Sequence, residues 1–135
     1  MARMVLDSWG LIAFFEDGPA AGMVEPLLLD GERGKHQLFL SVLDWWEIYS
    51  SIMSRVSQAV ADDKVRQISE LPLQIIAVGD DLALVRQAAI YRASHNLAPS
   101  CAFAAALAKT RKACLVTGDS GFRVLEDQFK IRWLA

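Results

Sequence analysis

Residues 97–119 read LAPSCAFAAALAKTRKACLVTGD. Pro99 has its φ already set for a first helical turn, and the alanine-rich run behind it predicts a helix to about Thr110. The apolar ACLVT that follows, Ala113–Thr117, reads as a buried strand closed by Gly118-Asp119. One residue is out of keeping with this pattern. Cys101 sits in the first helical turn, near the positive end of the helix dipole, where a carboxylate is the more natural occupant.

The same alternation of short apolar runs and longer helical patterns extends to both ends. Met4–Leu6 reads as a first buried strand, followed by a helical or loop stretch with a break at Gly18-Pro19. A helix then runs to about Leu29, ended by the Asp30-Gly31 turn signal. Gln37–Ser41 reads as a second strand. From Asp44 to about Val60 the apolar residues Trp45, Ile48, Ile52, Val56 and Val60 fall near helical spacing. A further helix spans Asp62 to Ser69, and Pro72 closes it before a strand over Leu73–Val78. Gly79-Asp80-Asp81 caps another helix, with apolar positions at Leu82, Val85, Ala89 and Ala93. Ile131–Leu134 offers a fifth strand. Strands separated by helices predict an α/β fold whose mainly parallel sheet is covered on both faces.

At 135 residues and 53% apolar content, the expected organisation is one domain, 1–135, with a proper core. No apolar run reaches the roughly 18 residues that a membrane span needs. Asp7 interrupts the N-terminal apolar stretch and no small-residue cleavage site follows, so a cytoplasmic protein is expected. Net charge is −2, but unevenly spread. Residues 1–50 hold three bases against eight acids, whereas residues 109–132 hold six bases against three acids. The basic C-terminal segment is either a phosphate-binding surface or an ordinary solvated one. Cys101 and Cys114 lack redox or zinc spacing. A helix between them separates them by roughly 13 Å, too far for a disulfide, so both are expected to be free.

In a parallel sheet, ligands bind beyond the carboxyl ends of the strands. The first strand ends in Asp7. The helix after the second strand carries Glu47, and the fourth strand runs into Asp119. Each acid has an ordinary alternative role: Asp7 as a helix N-cap, Glu47 in compensating a helix dipole, Asp119 as a turn former. Their convergence on one sheet edge is harder to explain that way. Crowded carboxylates repel unless a cation or proton lies between them, and all-oxygen donors suit Mg²⁺ or Mn²⁺.

Three stretches together resemble a known family: MVLDSWGLIAFF, FLSVLDWWEIYSSI and LAPSCAFAAALAKTRKACLVTGDSGFRVLE. In this order, across nearly the whole chain, they resemble the PIN domain family, and within it the VapC-type ribonuclease toxins of bacterial toxin–antitoxin systems. The resemblance implies a three-layer α/β/α sandwich with a parallel sheet of about five strands. It also implies a metal-dependent endoribonuclease built on four acids, with Mg²⁺ or Mn²⁺ as cofactor. By position, Asp7, Glu47 and Asp119 are the implied catalytic and metal-binding acids, and Thr117 matches a hydroxyl position that orients a carboxylate or phosphate. The third of the four acids falls at Cys101. Sulfur suits Mg²⁺ poorly and Mn²⁺ better.

Three readings follow: a weakened but active nuclease; a module that has lost catalysis yet keeps RNA or antitoxin binding; or a fold likeness without shared function. The family resemblance implies an RNA substrate, a small antitoxin partner and a homodimer, with no membrane association. Trp9, Trp45 and Trp46 flank the predicted acidic edge, where aromatics serve as partner anchors or base-stacking platforms; Trp45 also matches the buried stripe. Trp46 is expected to narrow the site. Arg55, Lys109 and Arg123 are candidates for the path of an RNA backbone.

Overall fold

Val5, Leu6, Leu40, Leu115 and Val116 are wholly buried, as strands covered on both faces must be. They belong to a sheet seen in the computed structural model of the chain, which describes residues 2–135. In chain order the elements are β1 (Ala2–Leu6), α1 (Ser8–Phe15), α2 (Ala21–Glu32), β2 (His36–Ser41), α3 (Val42–Arg55) and α4 (Gln58–Ser69). There follow β3 (Gln74–Ile76), α5 (Leu82–His95), α6 (Pro99–Arg111), β4 (Cys114–Thr117), a 3-10 turn (Ser120–Leu125) and β5 (Ile131–Trp133). The five strands are all parallel, in the order β3-β2-β1-β4-β5.

Alternate residues of each strand face opposite layers. Val5, Phe39 and Leu115 pack with α5 and α6, while Met4, Leu6, Leu38, Leu40 and Val116 pack with α1 to α4. The result is a three-layer α/β/α sandwich. Its register sets up one edge: Leu6 pairs with Leu40 on one side and Val116 on the other. Asp7, Ser41 and Thr117, the next residues along, therefore leave the three central strands at the same level.

The alanine-rich helix lies deepest. Ala102 and Ala104–Ala108 of α6 are all buried, because only small side chains let a helix approach this closely. Cys101 and Cys114 are free thiols. Among the described residues, no helix is long and apolar enough to cross a membrane.

Several boundaries differ from those the sequence suggests. α3 stops at Arg55 instead of continuing to Val60, because Ser57 opens a new helix by accepting the Val60 amide at 3.1 Å. Val56, expected in the buried stripe, falls in the break and is 63% exposed. α2 runs past Asp30-Gly31 to Glu32. Gly31 is there for packing: a Cβ on it would lie 2.7 Å from Leu38 Cδ1, and Gly34, at φ +77°, makes the turn. In α5 the buried positions are Leu84, Ala88 and Tyr91, while Leu82, Ala89 and Ala93 face solvent. That helix is apolar on more than one face, so spacing alone does not select the stripe. β3 is also shorter than Leu73–Val78.

Ala105→Leu should destabilise the protein by about 1–3 kcal/mol, since the added carbons have no space between α6 and the sheet. Urea unfolding followed by circular dichroism measures the change.

Candidate functional site

Asp7 is the first residue beyond β1 and is buried. Its Oδ1 accepts the Gly10 amide at 2.9 Å and so caps α1. Its Oδ2 accepts the Thr117 hydroxyl at 2.5 Å. The capping role is therefore real, and one carboxylate both starts a helix and faces the strand edge. Thr117, fully buried at the end of β4, also accepts the Asp119 amide on Oγ1 at 3.0 Å. Asp119 in turn caps the 3-10 turn through Oδ1, which accepts from Gly121 at 2.9 Å.

Asp7, Glu47 and Asp119 line one cavity of about 640 Å³, and Cys101 lines it with them. The structure thus brings together all the acids that the sequence singles out, on the edge where the strands end. Among the described residues, no Lys or Arg lines this cavity. Glu16, on its rim, is engaged by Arg55 at 2.6 Å, an exposed ion pair of small energetic weight. Trp9 forms part of the wall and lies flat against Gly118, where any Cβ would enter the indole ring.

Two acids that line the cavity are absent from the sequence-based set, Glu16 on its rim and Asp44 within it. Asp44, in the first turn of α3, is 2% exposed and also lines the cavity. Its Oδ1 accepts the Ser8 amide at 3.1 Å, but its Oδ2 has no hydrogen-bond partner among the described residues. A signal for it exists in the sequence: Asp44 and Glu47 are three residues apart, which on a helix puts both on one face.

Burial without cationic neighbours raises proton affinity. Burial, aided by the Asp119 charge, pushes the Asp7 carboxyl up to about 7 despite the bonds from Thr117 and Gly10. Asp44 is raised well above the carboxylate range by burial and then by the Asp7 and Glu47 charges. Burial also pushes the Cys101 thiol up to about 12, with Asp119 the largest of four acidic neighbours. Cys101 is consequently a neutral S–H that points at Asp119 Oδ2, 3.9 Å away. The carboxylates outweigh the helix dipole.

Two of the three candidate RNA-facing cations lie elsewhere. Lys109 is at the opposite edge of the sheet, in a cavity of about 1010 Å³ lined also by Arg3, Lys112, Lys130 and Arg132. Arg123 stacks over Trp133 at 5.2 Å. Trp46 is 59% exposed and does not line the acidic cavity, so it does not narrow it; with Glu47 it lines a separate shallow depression. Trp45 packs inward, stacked on Tyr49.

The PIN domain model matches residues 4–128. The chain belongs to the PIN domain family. No curated protein sequence matches it significantly. Solved structures with the same fold include DNA-bound VapBC from Salmonella typhimurium (15% identity, TM-score 0.75, all of both chains covered). VapBC2 from Rickettsia felis, bound to a promoter DNA fragment, is similar at 13% identity and TM-score 0.74, covering 96% of this chain and 97% of that one. A toxin–antitoxin complex from Klebsiella pneumoniae is similar at 16% identity and TM-score 0.70, with 98% of each chain covered.

The raised carboxyls of this PIN domain give its metal-free stability a definite sign with pH. Their proton affinity is higher folded than unfolded, so the stability they contribute is full below pH about 4 and is lost as pH rises through about 7. Thermal melts in chelator should fall across that window, and Asp7→Asn should flatten the fall.

Proposed function

We propose that this PIN domain is a metal-dependent endoribonuclease, the toxin of a type II toxin–antitoxin pair acting in the cytoplasm. The observation that carries the proposal is the cavity itself: acids from three separate strand exits, two of them buried, with no Lys or Arg among its lining residues. A polyanion such as RNA has no reason to approach such a surface unless a cation resides there. Family membership and the likeness to VapBC and toxin–antitoxin structures support the same reading.

The donor set fits a hard divalent ion. The donors are carboxylate oxygens, and the buried Asp44 Oδ2 is left without a partner among the described residues. Among the described residues, no three His, Cys, Asp or Glu side chains are gathered closely enough to enclose an ion as they stand. An ion held there would draw these carboxylates closer together. Asp7, Glu47 and Asp119 are the proposed ligands. A bound Mg²⁺ or Mn²⁺ supplies activation of a water and stabilisation of charge on the phosphodiester. Thr117 holds the Asp7 carboxylate and the Asp119 backbone in fixed relation, so the two strand ends that carry these acids would be set beforehand for an ion. A small antitoxin and a second copy of the chain are the proposed protein partners. Trp46, Met53 and Val56, exposed along α3 and its end, offer such a partner apolar anchors.

Cys101 favours a second reading, in which the domain keeps RNA or antitoxin binding without cleavage. Its neutral thiol is a poor ligand for Mg²⁺. Cleavage of single-stranded RNA with Mg²⁺, Mn²⁺ or chelator separates the two. The nuclease predicts metal-dependent product from the wild type, lowered at least about a hundredfold in Asp7→Asn. An inactive wild type that Cys101→Asp activates favours the second reading. No product from any variant with any metal contradicts the catalytic proposal.

A further inference from the structure

Asp44 is built into the cavity in a way that its structural duty does not require. It fixes the start of α1 through Oδ1, which accepts the Ser8 amide at 3.1 Å. An asparagine would perform that duty equally, without charge. The residue instead carries a carboxyl group at 2% exposure beside Asp7 and Glu47, and among the described residues its Oδ2 meets no hydrogen-bond partner. An unpartnered buried oxygen of this kind costs stability unless something absent from the protein meets it.

Two features say what that something is. Oδ2 belongs to a residue lining the cavity that also holds Asp7, Glu47 and Asp119, where no Lys or Arg of the described residues contributes to the wall. Asp44 and Glu47, three residues apart on α3, approach from the same helix face, so that one helix brings two carboxyl side chains to the cavity wall. Across the cavity, Cys101 offers only a thiol, which points at Asp119 Oδ2 from 3.9 Å.

We propose that Asp44 Oδ2 is a ligand of the divalent cation, supplying from α3 the fourth carboxylate that the head of α6 lacks. The proposal rests on the cation reading of the cavity given above. The hard-oxygen set is then Asp7, Asp44, Glu47 and Asp119, and the thiol at 101 lies beside the set instead of within it. It follows that the departure at position 101 does not by itself empty the site.

The test is Mn²⁺ binding to the chelator-stripped full chain by isothermal titration, paired with thermal melts in EDTA and in Mn²⁺. Asp44→Asn keeps the acceptor for Ser8 and removes only the charge. It should bind Mn²⁺ about tenfold more weakly than wild type, or worse. In EDTA it should melt higher than wild type, because a buried acid that must either hold a proton or carry an unpaired charge is gone, and Mn²⁺ should raise its melting temperature less than that of wild type. Glu16→Gln removes a rim charge from the same cavity and should change affinity by less than about twofold. Asp44→Asn binding as tightly as wild type overturns the proposal and leaves the cation reading intact. Equal weakening in Glu16→Gln shows bulk charge at work and also overturns it. A lower melting temperature for Asp44→Asn in EDTA assigns the carboxylate to the fold and overturns it too. A wild type that binds no Mn²⁺ overturns both the proposal and the reading beneath it.

Discussion

Thr117 Oγ1 donates to Asp7 Oδ2 and accepts the Asp119 amide, so a single buried hydroxyl ties the exit of β1 to the exit of β4. These two strands are neighbours in the middle of the sheet, in parallel register through Leu6 and Val116. The bond is possible only because that register brings residues 7 and 117 to the same level. Everything at the edge follows from it. Asp7 is held where it caps α1, Asp119 is held where it caps the following turn, and the chain between them has no freedom to separate the two acids.

Such an arrangement is unfavourable for the empty protein. Asp7 and Asp44 are buried next to each other's charge and to those of Asp119 and Glu47, and both are held above the normal carboxylate range as a result. A fold selected for stability alone has better choices at both positions, asparagine among them. Two buried acids kept at these positions are what the proposed cation site requires, with local stability given up for binding. Cys101 fits the same logic, because a neutral thiol adds no further charge to the crowd.

Much of this edge is legible in the sequence, for a simple reason. An apolar run of three to five residues that ends in an acid, between helical patterns, fixes both the strand and the direction in which the acid leaves it. Asp7 and Asp119 follow from that rule, and Glu47 from its place one turn into the next helix. Asp44 is harder to see because it falls in the first helical turn, where acids are common for dipole reasons alone. Only burial distinguishes it from a solvated one, and burial depends on α1 packing across the start of α3. The break between α3 and α4 escapes for a related reason. Val56 and Val60 continue the apolar spacing, while the Ser57 cap that interrupts it is a single hydrogen bond. In α5 the pattern is apolar in several directions, and contact with α6 decides which side is buried.

The central claim is that the acidic cavity at the carboxyl edge of the sheet is a divalent-cation site. Anomalous diffraction from crystals grown with Mn²⁺ tests it most directly. A peak in the cavity, with carboxylate oxygens at about 2.0–2.6 Å from it, is the predicted result. A cavity without an anomalous peak at saturating Mn²⁺, with the carboxylates in their metal-free positions, would contradict it.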